Sequence, residues 1–206
     1  MRRLLAAVVA CALLLPAAAR ADGDPASDVL ILARTFEPYA VKIPSDSRKR
    51  LAGTIAQAKA NGYSVRVAMI GDAYDLGSAG LLMDHPQDYA KFLAQELAQF
   101  NTDWVLVVMP SGYGIYRCVG IRRPEGYVDP CEKAAPMAAD TKALSALATP
   151  KGDLAASADT AVRALAQVHG VHFGGTPWPL IGGAVAVVVA LGAGGLFALR
   201  RRRAKV

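Results

Sequence analysis

The 206-residue chain is predicted to be an α/β protein with a mostly parallel central sheet flanked by helices, plus a C-terminal transmembrane helix. Two observations predict the domain. Short apolar runs alternate with segments of helical period, and they follow the order β-α-β-α-β with short connections. A third predicts the anchor: LIGGAVAVVVALGAGGLFAL, residues 180–199, contains no charged or strongly polar side chain.

Residues 1–21, MRRLLAAVVACALLLPAAARA, carry Arg2 and Arg3, an apolar run over 4–15 and Pro16. They close on Ala19-Arg20-Ala21, the small-x-small pattern of signal cleavage. The apolar run is too short to span a bilayer, so a removable secretory signal is expected. Residues 22–27 then read as a polar leader and 28–169 as the exported domain.

Within that domain, Val29-Leu30-Ile31-Leu32 is a short apolar run expected to form a buried strand. Residues 36–43 extend beyond it, interrupted by Pro38. PSDSRKRLAGTIAQAKANG predicts a helix that Pro44 and Ser45 or Asp46 start. Leu51, Ile55 and Ala58 make its face, and Asn61-Gly62 supplies a left-handed stop. SVRVAMI, residues 64–70, places Val65, Val67 and Met69 on one side of a half-buried strand.

Residues 71–84, with three glycines, read as a loop. Pro86 opens the next helix, where Tyr89, Phe92, Leu93, Leu97 and Phe100 share a face. Residues 104–109, WVLVVM, are the most strand-like run. Pro110-Ser111-Gly112 then reads as a bend and 114–119 as a return strand. The chain turns alanine-rich after Cys131, and 153–168 predicts a last helix packing Leu154, Ala161, Leu165 and Val168. Residues 170–179 form a Gly/Pro linker.

At about 1.5 Å per residue, residues 180–199 reach roughly 30 Å, the thickness of a hydrocarbon core. Trp178 precedes them, and the basic tail 200–206 follows with arginines 200–203 and Lys205. The basic side is expected in the cytoplasm, with the domain outside the plasma membrane. Three of the 23 Lys and Arg lie in the signal and five in the tail, so 15 face all 17 Asp and Glu, a balance of −2 outside. The overall +6 therefore reflects membrane topology, and no nucleic-acid partner is expected. Gly182, Ala186, Ala190, Gly194 and Ala198 recur every fourth residue, a small-residue stripe that lets helices approach closely. The expected partners are thus the lipid bilayer and a membrane protein or second copy.

Cys118 and Cys131 are the only cysteines left after signal removal. In an oxidising exterior they are expected to pair as a disulfide. The loop they close holds Arg122 and Arg123, with Arg117 beside it, charges that could meet an anionic partner.

Several motifs together resemble the TPM domain family. They are the helix ending Ala60-Asn61-Gly62, the SVRVAMI strand, the Asp88-Tyr89-Ala90 helix start and WVLVVMPSGYGIY. The likeness runs from Ser47 to about Cys118. It implies a Rossmann-like extracytoplasmic module tethered to the membrane, with accessory roles in assembling or maintaining membrane complexes. Phosphatase activity is attributed to some members.

Candidate chemistry centres on Asp72, Asp75 and Asp103. The first two follow the second strand, where parallel sheets place ligand crevices. Such carboxylates could hold Ca²⁺ or Mg²⁺, the only cofactors in view, or support metal-assisted phosphoryl chemistry. Asp103 precedes its strand, which puts it at the opposite end of the sheet. No G-x-S-x-G, H-E-x-x-H, P-loop or C-x-x-C occurs. His85, His169 and His172 are expected in solvent, and no catalytic residue is assigned. The resulting expectation is a single-pass, non-enzymatic accessory or interaction module of the cell envelope. The alternatives are a metal-dependent phosphatase using Asp72 and Asp75, or a ligand-binding domain presenting the Cys118–Cys131 loop.

Overall fold

Every secondary-structure element of the computed structural model lies within its described residues, which are 23–122, 126 and 128–173. The chain divides into two units, Met1–Val171 and His172–Val206, and the fold below is that of the first. The expected signal 1–21, the expected span 180–199 with its small-residue stripe, and the tail 200–206 lie outside the described residues. Among the described residues no helix is long and apolar enough to cross a membrane.

The first element departs from expectation. Residues Pro25–Leu32 form a helix, α1, instead of a polar leader running into a strand. Four consecutive apolar residues suit either state; what decides is upstream. The Asp24 carboxylate accepts from the amides of Ala26 (3.4 Å) and Ser27 (3.2 Å), and Pro25 occupies the first turn. The first strand is the two-residue β1, Thr35–Phe36.

The next elements follow the sequence closely. Helix α2 is Ser45–Ala60, and Gly62 beyond it takes φ +94°. Strand β2 is Val65–Met69, and all five of its residues are buried, so it is covered on both faces and not half-buried. Asp72 then caps a 3-10 stretch, Ala73–Leu82, where a plain loop was expected. Helix α3 is Pro86–Leu97; it stops short of Phe100, which is 63% exposed and belongs to no helical face. Strand β3 is Trp104–Met109 and β4 is Gly112–Tyr116.

The return strand ends earlier than predicted. Beyond Arg117 the chain starts a separate two-stranded sheet, β5 (Cys118–Arg122) against β6 (Val128–Ala134). Helix α4, Ala138–Ser145, was not marked by sequence; α5, Leu154–Val168, was. Asp153 caps α5 by accepting from the Ala156 amide at 3.0 Å.

The main sheet runs β1-β2-β3-β4, the first three strands parallel and β4 antiparallel to β3. On one face Ala68, Ile70, Val105, Val107 and Met109 form a core with Leu30 of α1 and Tyr89, Leu93 and Leu97 of α3. The alternate residues, Val67, Met69, Leu106 and Val108, turn to the other face. There α2 packs along α5, and both meet the strands. Burying each large aliphatic side chain stabilises by roughly 1.5–3 kcal/mol, and this double cover explains why even β2 has no solvent side.

The Gly-Tyr-Gly of the β3–β4 hairpin serves packing as well as turning. Gly112 sits at the bend with φ +151°. A Cβ on Gly114 would lie 1.9 Å from the Pro86 carbonyl oxygen, so the second glycine lets α3 start directly against the hairpin.

Candidate functional site

Parallel strands give the sheet two unlike ends. At the amino pole, where β2 and β3 begin, charges and rings are closed off. Asp103 Oδ2 accepts from Arg34 Nη1 (2.8 Å) and Arg66 Nε (3.0 Å). Arg66 Nη1 also donates to the carbonyls of Leu30 and Ala33 at the end of α1. Burial pushes the Arg66 guanidinium below its usual pKa, while Asp103 pulls it back up. Asp103 is therefore a structural counter-ion, well away from Asp72 and Asp75, as its place before β3 implied.

Beside this network His169 is exposed, as expected, yet its ring and Nε2 also make contacts within the domain. Its ring stacks on Tyr63 (centroids 4.8 Å) and lies 4.9 Å from Trp104, and its side chain is 31% exposed. Its Nε2 lies 2.7 Å from Oδ1 of the buried Asp140 on α4. Arg117 lies over the Trp104 ring at 5.7 Å and donates to the Thr102 carbonyl at 2.9 Å. That guanidinium thus makes contacts within its own domain. The side chain of Arg122 and all of Arg123 lie outside the described residues. Cys118 and Cys131 are disulfide-paired across β5 and β6, with Cα atoms 4.6 Å apart. Cys118 is buried in the α3 core, so the bridge secures the hairpin to the domain.

The carboxyl pole is built otherwise. Asp75 is 0% exposed, and its carboxylate accepts from three backbone amides. Oδ2 accepts from Gly71 (2.7 Å) and Asp72 (3.2 Å), and Oδ1 from Tyr39 (2.8 Å), a residue on the β1–α2 connection. Asp72 in turn accepts from the Tyr74 amide at 2.9 Å, completing a capping box. With three backbone amides on the Asp75 carboxylate and the Tyr74 amide on Asp72, this pair ties the loop together as a clamp. Among the described residues no group of three or more His, Cys, Asp or Glu could hold a metal ion.

What the clamp holds is a pair of tyrosines. Tyr39 and Tyr74 are 60% and 76% exposed, with ring centroids 5.9 Å apart and planes at 70°. Phe36 supports Tyr39 edge-on at 5.6 Å. A Cβ on Gly71 would lie 2.6 Å from Val41 Cγ2, so that glycine permits the tyrosine loop to press onto the end of β2. A cavity of about 840 Å³ lies against Pro25, Tyr39, Ala73, Tyr74 and Gly77.

Three smaller cavities continue along the same pole. One of about 470 Å³ touches Val41, Gly71, Pro110 and Lys151. The others, about 410 and 230 Å³, share Tyr113, Leu147 and Thr149. The Tyr113 hydroxyl donates to the Ala148 carbonyl at 3.1 Å. Burial raises its pKa, and a hydrogen bond with Ser157 opposes the rise. The Gly-Tyr-Gly therefore directs its tyrosine into a crevice whose far wall is the segment between α4 and α5.

No family model, no curated protein and no solved structure matches the chain. Function is read from the two poles themselves. Sequence reasoning singled out Asp72 and Asp75 but missed Tyr39, Tyr74 and Lys151. Residue 39 stands 36 positions from the carboxylate that holds its backbone, and no local pattern marks such a pairing.

Proposed function

We propose that this chain is a single-pass, membrane-anchored accessory or interaction module of the bacterial cell envelope, non-enzymatic and TPM-like. Residues 180–199 anchor it, and its exported α/β domain recognises a partner through the carboxyl pole. The observation that carries the proposal is Asp75. The carboxylate best placed for metal or phosphoryl chemistry is wholly buried and spends its lone pairs on the amides of Tyr39, Gly71 and Asp72. A reacting group needs a vacant acceptor or proton site facing the substrate, whereas a recognition surface needs exposed side chains on anchored backbone, which the clamp supplies in Tyr39 and Tyr74.

Full-length protein purified in detergent tests this directly. It is expected to hydrolyse p-nitrophenyl phosphate no faster than buffer in millimolar Mg²⁺ or Ca²⁺, with no thermal shift from either ion. Turnover that disappears in Asp72→Ala would overturn the proposal in favour of a metal-dependent phosphatase. For the anchor, fractionation is expected to find the intact chain in the plasma membrane, and a chain truncated after residue 179 in the extracytoplasmic soluble fraction. Retention of the truncated chain in the membrane would sink the anchoring role of 180–199.

A further inference from the structure

We propose that the carboxyl pole is a binding site for a neutral oligosaccharide, with Tyr39 and Tyr74 as its stacking platform. The inference rests on the interaction-module reading and specifies what that module takes.

Exposed aromatic rings are common enough singly; here two stand together on anchored backbone, and one ring is supported as well. Tyr39 is pinned through its backbone by Asp75 and through its ring by Phe36. Tyr74 sits in the first turn of the stretch capped by Asp72. Side chains anchored before binding cost less entropy when a ligand arrives, and tyrosine offers an apolar face together with a polar rim. A pyranose is the complementary object. Its axial C–H groups form an apolar face that lies flat on an aromatic ring, while its equatorial hydroxyls radiate from the edge.

The neighbouring cavities suit those hydroxyls. Beyond Gly71 and Pro110 their lining includes the hydroxyls of Tyr113, Thr149, Ser157 and Thr160. Tyr113, Ser157 and Thr160 donate to the carbonyls of Ala148, Asp153 and Ala156, which leaves their oxygens as acceptors for sugar hydroxyls. The charged groups there are Lys151 and Asp153, of opposite sign. Asp153 is committed to its helix cap and to the Ser47 hydroxyl. With the two charges balanced, the lining has no excess of cations to neutralise a phosphate backbone or an anionic headgroup, which disfavours nucleic acid and lipid surfaces. The two rings are 60% and 76% exposed, unlike the desolvated pockets that seat the anchor side chains of a peptide.

The test uses the full-length chain in a detergent without sugar headgroups, titrated calorimetrically with β-1,4-linked N-acetylglucosamine tetramer and with maltotetraose. Saturation-transfer NMR reports which sugar protons contact the protein. Saturable binding of at least one probe is expected, with sugar ring protons as the contacted atoms. Tyr74→Ala and Tyr39→Ala are each expected to weaken it by about tenfold or more. Leu32→Ala, at a site 92% exposed near the amino pole, is expected to leave it unchanged. Absence of binding at millimolar sugar overturns the inference, as does binding that Tyr74→Ala leaves intact. If neither sugar binds but a peptide or protein captured from envelope membranes is lost in Tyr74→Ala, the saccharide inference falls and the interaction module stands. Phosphoester turnover would instead remove the module reading.

Discussion

At the amino pole of the sheet Tyr63 and Trp104 are packed around His169, whereas at the carboxyl pole Tyr39 and Tyr74 stand in solvent. Charge is handled just as differently. Asp103 is neutralised by two arginine side chains, but Asp75 by backbone amides alone. A side-chain counter-ion ties whole elements together and seals an end of the sheet. A carboxylate bonded by amides shapes loops and leaves side chains free to project. The same residue types thus build a closed structural end and an open presenting end.

The largest expected effect breaks the closed pole. Asp103→Ala leaves Arg66 charged, buried and without its carboxylate, and is expected to cost about 3–5 kcal/mol in urea unfolding. Replacing Arg66 by Met and Asp103 by Leu together should recover most of that loss, because the uncompensated charge goes with the pair.

Asp75→Ala breaks the clamp of the open pole. It strips three part-buried amides of their acceptor, so a cost of about 2–3 kcal/mol is expected. Amides of Gly71 and Tyr39 should also lose hydrogen-exchange protection ahead of the strands. If Asp75→Ala unfolds no more easily than the parent, the carboxylate is not a clamp and its role at this pole must be reconsidered. Replacing Cys118 and Cys131 by Ser is expected to cost about 3 kcal/mol in the chain-entropy model, with the carboxyl-pole loops unaffected.

A smaller effect distinguishes the poles by pH. Burial raises the Asp24 carboxyl above its usual 3.8, against hydrogen bonds from Tyr89 and the amides of Ser27 and Ala26 that lower it. The folded state therefore holds this proton more tightly than the unfolded chain. Its contribution to stability is present at low pH and is lost as pH rises from about 3.8 through the raised value. Asp24→Asn keeps a good cap and cannot titrate, so it should flatten the fall in melting temperature over that window. An unchanged pH profile in the variant would show that Asp24 does not set the slope. Smallest of all, Tyr74→Ala should alter stability by no more than about 0.5 kcal/mol, because a ring that is 76% exposed packs little. A larger loss would mean the ring supports the fold.

Much of the scaffold is legible in the residues. Helices α2 and α3 and strands β2 and β3 appear where the 3.6- and 2-residue periods put them, because those signals are local. Residues 29–32 misled because a run of four apolar side chains carries no period; the deciding cap, Asp24, lies outside it. Phe100 fits the α3 face by spacing, but the helix ends before reaching it. Asp72 and Asp75 were recognisable as a loop pair. Whether they served a metal or a turn depended on donors from the Tyr39 loop.

Sequence by itself determined the α/β order, the long helices and the two central strands, and it singled out Cys118 and Cys131 as a pair. The elements depend on neighbours in the chain, and the pair follows once Cys11 is assigned to the expected signal. Only the tertiary structure decided that Asp75 is a clamp, that His169 is stacked on Tyr63 and paired with Asp140, and that Tyr39 meets Tyr74. Those facts join residues 29 to 106 positions apart. At such separations, only the packing of helices on the sheet determines which groups meet.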